Sequence, residues 1–298
     1  MKIFLPLPAS VNFWATVYSH GWSALPPFRV DKERKRLQAV VDDGKGPVLI
    51  AIGKEKSRLV VAVENRSTLT KNQKNAISQS AATMMRMDER FDEFYEEASR
   101  YPHFRWVAKL RAGRLLRSNT VFEDVVKMIC TTNCSWALTE IIVNALVSKL
   151  GTRISDGVYS FPTPEVIAKQ SERFLRKEIR CGYRAPYLLE LSRRIVSGSL
   201  EIESWRSSLA PTEVLFDQVQ QVKGVGKYAA GNILKLLGRY DYLGLDSWCR
   251  SKFYEVYKKG RKVKDSTIEK HYSRFGKWQG LFMWMDVTKD WYKKEFPF

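Results

Sequence analysis

The chain has 298 residues, enough for one large or two modest domains with real cores. Fifty Lys and Arg against 32 Asp and Glu leave a formal charge of +18, and aromatic residues make up 12%, with nine Trp. That balance suits a polyanion binder, because neutralising phosphates releases condensed counterions, and interleaved aromatics can stack on bases. No run reaches the ~20 apolar residues a bilayer span needs. The start MKIFLPLPASVNFW is interrupted by Pro6 and Pro8 and lacks the unbroken apolar region of a secretory signal. The expectation is an intracellular chain with no membrane partner.

The first hundred residues carry strand grammar. VNFWATVY (11–18) alternates apolar and polar positions, and PVLIAIGK (47–54) and RLVVAVEN (58–65) are short β-branched runs joined by GKEKS, a plausible hairpin. LPPFRVD and DDGKGP are turn and loop signals. A small antiparallel sheet is predicted. From about Leu69 the period becomes helical, in NQKNAISQSAATMMRM and ERFDEFYEEASRY, with Asp88 the expected cap of the second.

Beyond that point helices dominate. Residues 120–150 contain two amphipathic segments, with Thr120 and Glu123 as a capping box, a turn at TTNCS and a stop at Gly151. TPEVIAKQSERFLRKEI (163–179) reads as one helix with Thr163 as N-cap and Pro164 at its first position. YRAPYLLELSRRIVSG is another helix, TEVLFDQVQQV opens the next unit, and KKGRKVKD (258–265) is a basic surface loop. HYSRFGKWQGLFMWMDVTKDWYKKEF (271–296) closes the chain as an aromatic-rich helical segment. The fold class is α+β, mainly α. Its expected parts are an N-terminal antiparallel β-sheet domain with trailing helices (1–105) and a helical domain (106–298).

Residues 216–250 are the most informative. They read as helix, glycine hairpin, helix, aspartate: Lys223, Gly224, Val225 and Gly226, then a helix from Lys227, then Asp246, 20 residues past Gly226. Glycines let a phosphate approach closely, and the helix start adds N–H donors and a positive dipole end. Lys223 and Lys227 flank the turn with charge. A GxG before a helix also serves plain packing. Asp246 either stabilises charge in a reaction or caps the helix SWCRSKFYEVY, and both roles are compatible. The four cysteines (Cys130, Cys134, Cys181, Cys249) are too scattered for a disulfide framework. Cys130 and Cys134 make at most half a metal site, and the lack of a compact four-cysteine group argues against an iron–sulfur cluster.

This stretch resembles the helix-hairpin-helix (HhH-GPD) base-excision DNA glycosylases. The similarity extends to RLLRSNTVFEDVVKMICTTNCSWA (114–137) and RCGYRAPYLLELSRRI (180–195), and the sheet-then-helices order matches the 8-oxoguanine and 3-methyladenine II branches. The resemblance implies a helical glycosylase core at 106–298 with its hairpin unit at about 213–250. It implies an enzyme that flips a damaged purine, alkylated or oxidised, from duplex DNA and hydrolyses its N-glycosidic bond. Asp246 takes the catalytic position, and the hairpin residues 223–227 the backbone contact. Asn133 falls where an asparagine fills the gap left by the flipped nucleotide. Its other reading is a cap of the helix beginning at Trp136.

Departures matter as much. Tyr228 stands where bifunctional relatives have a Schiff-base lysine, and a phenol cannot form an imine. A monofunctional enzyme is expected; a lyase using another lysine, or a non-catalytic lesion binder, is the alternative. Asn232 stands where the 8-oxoguanine branch has a pocket cysteine. Met283 and Val287 are nearest to the glutamine and phenylalanine that hold that base. The expected base pocket is thus Tyr228, Asn232, Trp136 and Met283, with Trp136 also readable as core. Trp278, Phe282 and Trp284 form either a stacking wall or core, with core favoured for at least two. The resemblance implies a monomer acting on double-stranded DNA, cytoplasmic and nucleoid-associated or nuclear by organism, with no obligate protein partner. No cofactor is required, and a monovalent cation at the hairpin is the one ion it leaves open.

Overall fold

The computed structural model describes residues 1–294; the tail of the expected closing helix, Glu295 and Phe296, lies outside them. β1 (Lys2–Pro6), β2 (Arg29–Asp31), β3 (Arg36–Asp42), β4 (Pro47–Glu55) and β5 (Arg58–Val63) form one antiparallel sheet in the order β1-β5-β4-β3-β2. The β4–β5 hairpin pairs Ile50 with Val63 and Ile52 with Val61, so one face presents Leu37, Ile50, Ile52 and Val61 to the interior. This is the period-2 burial that the β-branched runs dictate.

VNFWATVY is not a strand. α1 (Phe13–Val17) occupies it, because Asn12 caps the turn by accepting from the Ala15 N–H at 3.1 Å, and Phe13, Ala15, Thr16 and Val17 are all buried. A five-residue segment buried at all but Trp14 is too short for alternation to decide between strand and helix, and the cap decides.

α2 (Lys71–Met84) starts in a full Thr70–Gln73 capping box. α3 (Asp92–Arg100) has no side-chain cap, and the expected cap Asp88 instead pairs with Arg117 at 3.2 Å. After α4 (Arg105–Leu110) come α5 (Val121–Thr131) and α6 (Trp136–Leu150). Thr120 caps α5 by accepting from the Glu123 N–H, but the Glu123 carboxylate turns to Lys127 at 2.6 Å, so only half of the capping box forms. Ser135, not Asn133, caps α6. A two-stranded ribbon, β6 (Arg153–Ser155) and β7 (Val158–Tyr159), follows. The predicted 163–179 helix is two, α7 (Pro164–Ala168) and α8 (Glu172–Lys177), because Ser171 caps a new start by accepting from the Phe174 N–H. α9 (Ala185–Val196) precedes α10 (Thr212–Gln220) and α11 (Lys227–Leu237), the two arms of the glycine hairpin. α12 (Ser247–Lys258), α13 (Asp265–Tyr272), α14 (Gln279–Thr288) and α15 (Trp291–Lys294) complete the described chain, with a kink at Gly276 inside the closing segment.

Two hydrophobic clusters hold these elements. The larger runs from the sheet face through α5 (Val125, Ile129), α6 (Ile142, Leu146) and α9 (Leu188) to α11 (Ala230, Leu234). The smaller joins Phe91, Phe94 and Phe104 to Tyr240, Phe253, Tyr272 and Phe282. Both cross residue 105, so the interior is not divided there.

α11 is fixed at its far end by two buried arginines. Arg86 donates to the carbonyls of Lys235 (2.6 Å) and Leu236 (2.8 Å), and Arg117 donates to Leu236 at 2.9 Å. These satisfy carbonyls that a helix C-terminus leaves free, and the positive charges suit that end of the dipole. Glu89 pairs with both arginines.

Candidate active site and nucleic-acid groove

The hairpin faces a groove. Thr132, Asn133, Tyr183, Tyr187 and residues 222–229 line a cavity of about 460 Å³. Gly224 takes φ +88, and a Cβ there would stand 2.4 Å from the Tyr187 ring, so both backbone and space demand glycine. Gly226 is different: its φ is −85 and nothing lies within 4 Å of an added Cβ, which leaves open space above the N-cap of α11. No side chain caps that helix, so its first N–H groups are available to an anion.

The residues expected to touch the backbone divide. Val225 is buried and its N–H donates to the Val222 carbonyl at 3.0 Å, so it anchors the turn and offers no free donor. Lys223 is exposed but engaged with Glu190 at 3.3 Å. Lys227 is exposed. Asn133 is exposed in a left-handed turn (φ +46) on the same groove as the hairpin.

A second, larger cavity of about 780 Å³ adjoins the first, with Tyr228 in the wall of both. It lies within the size range of ligand sites in proteins. Its wall includes His20, Trp136, Asn232, Lys235, Asp246 and Trp284. Asp246 is half-buried at the N-terminus of α12, where its Oδ1 accepts from the Cys249 N–H at 2.6 Å. The carboxylate is therefore held by the helix it begins, and a second oxygen remains for chemistry. Glycine contact brings it opposite α11: a Cβ on Gly231 would stand 2.9 Å from the Gly244 backbone, so only this small pair lets the loop lie against the helix.

Burial, reinforced by the Asp246 charge, pushes the Tyr228 phenol up to about 12, so it stays neutral. Burial pulls Lys235 down to about 8, opposed by the Asp246 charge. Burial likewise lowers His20 to about 4, opposed by its bond to the Leu116 carbonyl at 2.7 Å.

Several expected pocket residues move. Met283 is 1% exposed and packs in the smaller hydrophobic cluster. One step along α14 turns the next residue by about 100°, so Trp284 reaches the cavity instead, with its indole N–H bonded to the Ser19 carbonyl at 2.9 Å. Phe282 is fully buried, and Trp278 packs on Phe91, Phe94 and Tyr240, so two of the three aromatics are core. Trp136 is not core. It is 40% exposed, and its ring lies across Gly21, where a Cβ would stand 2.2 Å away. Asn232 lines the cavity but is fully engaged as a brace. Its amide donates to the carbonyls of Tyr228 (2.9 Å) and Gly244 (3.2 Å), and its oxygen accepts from Lys235 (3.1 Å).

Sequence reasoning passed over Lys235 and His20. A signal for the first was present: Tyr228, Asn232 and Lys235 stand at i, i+4 and i+7 and share one helix face. Nothing local marked His20, which the chain brings in from the N-terminal half. Among the described residues no group of three or more His, Cys, Asp or Glu side chains could hold a metal ion. Nor is any helix among the described residues long and apolar enough to cross a membrane.

A family model of the HhH-GPD superfamily base excision DNA repair proteins matches residues 126–281, more than half of the chain. The chain belongs to this superfamily. It is 32% identical over 84 residues to the N-glycosylase/DNA lyase of Saccharomyces cerevisiae, a match spanning 27% of this chain and only 22% of that protein. Among solved structures, the fold is shared with the 3-methyladenine DNA glycosylase from Archaeoglobus fulgidus, with TM-score 0.76 at 19% identity over 97% of this chain and 99% of that one. The apo 8-oxoguanine glycosylase/lyase of Clostridium acetobutylicum superposes with TM-score 0.75 at 17% identity, over 96% and 95%. The matched residues 126–281 include the 222–229 wall of the groove.

Proposed function

We propose that this HhH-GPD protein is a monofunctional DNA glycosylase that flips a damaged purine out of duplex DNA and hydrolyses its N-glycosidic bond. The observation that carries the proposal is the adjacency of the two cavities. An open groove at an uncapped helix start leads, past Tyr228, to a chamber holding one carboxylate. The hairpin N–H groups and Lys227 grip the backbone, and Asn133 fills the gap in the duplex. The base enters beside Trp136 and Trp284, which supply apolar faces. As the glycosidic bond breaks, positive charge develops on the sugar, and the fixed Asp246 carboxylate stabilises it and orients the attacking water.

Tyr228 carries the monofunctional part. Its phenol, kept neutral by burial and the Asp246 charge, stands where bifunctional relatives place the amine that attacks C1′, and a phenol forms no imine. Every step falls to a side chain or backbone group of this chain, acting as a monomer on one duplex. The test is a base-release screen on duplexes carrying 8-oxoguanine, hypoxanthine, 3-methyladenine and 7-methylguanine. Release of a free base without strand nicking is expected. A chain that binds these duplexes and releases nothing would be a lesion binder, and the proposal would fail.

A further inference from the structure

We propose that Lys235 selects the base: its ammonium donates to a carbonyl oxygen of a neutral flipped purine and repels purines made cationic by N-alkylation. The inference rests on the glycosylase proposal above and names the substrate class of that same cavity.

Among the described residues two lysines are fully buried, and they are built differently. Lys127 has its counter-ion, Glu123, at 2.6 Å, and its ammonium lies 4.8 Å from the centre of the Phe28 ring. That is a self-contained structural pair. Lys235 stands between Leu234 and Leu236 on α11, and the partners of its ammonium are neutral: the Leu243 carbonyl at 2.5 Å and the Asn232 side-chain oxygen at 3.1 Å. An ammonium has three N–H donors, so two are used and one is left. Lys235 also belongs to the cavity wall, where Lys127 does not.

A structural role alone does not explain the residue. An apolar side chain at this position would fill the space without the desolvation penalty of a buried charge. The surroundings instead keep the ammonium in place. Asn232, itself held by the Tyr228 and Gly244 carbonyls, turns its side-chain oxygen to the ammonium, and Gly244 leaves it room, since a Cβ there would stand 3.0 Å from Nζ. A buried cation without a counter-ion in contact favours a ligand that brings an acceptor. It opposes one that brings a second positive charge, because the repulsion is little screened in such a site. Oxidised and deaminated purines carry the acceptor and stay neutral. Purines alkylated at ring nitrogens carry the charge. A charge-assisted hydrogen bond corresponds to about 10- to 150-fold in rate if it is lost.

The experiment is single-turnover base release from four duplexes, two with carbonyl-bearing neutral bases (8-oxoguanine, hypoxanthine) and two with cationic bases (3-methyladenine, 7-methylguanine), for the full chain and for Lys235→Met. The wild type is expected to favour the neutral pair by at least about tenfold. Lys235→Met is expected to lose about 10- to 150-fold on that pair while holding or gaining rate on the cationic pair. An equal fall on all four duplexes would make Lys235 structural and overturn the proposal, as would a wild-type preference for the cationic pair. If Lys235→Met does not fold, Lys235→Gln takes its place, and the wild-type preference decides by itself. Release of no base from any duplex would sink the glycosylase proposal and this one together, whereas a reversed preference sinks only this one.

Discussion

Asp246 serves two masters, and substitution separates them. Its carboxylate caps α12 through the 2.6 Å bond from the Cys249 N–H, and it is the one acidic side chain assigned to the chemistry. Asn is as good an N-cap as Asp, so Asp246→Asn keeps that bond and loses only the charge at the helix start, worth about 0.3–1 kcal/mol. In a chain of this size that is roughly 1–4 °C in melting temperature. The rate should respond far more. Removing a preorganised group that stabilises developing charge costs about 100- to 1,000-fold, or ~3–4 kcal/mol in the barrier. Asp246→Ala removes the cap as well, for about 0.5–2 kcal/mol of stability. The assays are thermal melting, affinity for a duplex with a stable abasic analogue, and single-turnover base release on whichever duplex the wild type cleaves. Expected is a near-wild-type melt and affinity for Asp246→Asn with release reduced at least about 100-fold. Release within tenfold of wild type in that variant would refute the assignment and leave Asp246 a cap.

Borohydride reduction during turnover should trap no covalent protein–DNA adduct with the wild type, whereas Tyr228→Lys should form one; an adduct in the wild type lost on Lys227→Ala would overturn the role given to Tyr228. Gly224→Ala meets both a φ of +88 and the Tyr187 ring, and should cost about 1–3 kcal/mol by denaturant unfolding. Gly226→Ala meets neither and should keep its stability within ~0.5 kcal/mol, yet bind duplex more weakly because a methyl enters the space for phosphate; equal affinity would remove Gly226 from the interface. His20 is held neutral by burial, with its pKa lowered from 6.5 to about 4. The unfolded chain therefore takes up this proton first. The contribution of His20 is full above pH 6.5 and is lost as pH falls toward 4, by up to roughly 3 kcal/mol, less what its partial exposure screens. Urea titrations from pH 7.5 to 4 should show a slope that His20→Gln flattens; an unchanged slope would mean the imidazole is not the source.

The hairpin, the start of α11 and the cap at Asp246 were legible in the sequence because their chemistry is local. Glycine permits its own backbone angles, and a carboxylate three residues before an N–H can cap it without help from the rest of the fold. The same holds for the β4–β5 hairpin, where alternation and a turn suffice. Local grammar failed where burial was complete or a cap was overlooked. VNFWATVY alternates yet is helical because Asn12 caps it, and Ser171 divides a helix that period alone would continue.

What needed the tertiary structure was every choice between faces and every long-range partner. Met283 and Trp284 are neighbours of similar hydrophobicity, and only the rotation of α14 against its surroundings sends one into the core and the other to the cavity. The two arginines that seat the end of α11 come from positions 86 and 117, and His20 comes from farther still. Lys235 is the sharpest case. Its spacing from Tyr228 put it on the right helix face, but whether that face meets lipid-like core, solvent or a chamber is set by the loop that Gly231 and Gly244 allow to close over it. Spacing along a chain determines which residues stand together, and packing alone determines what they stand against.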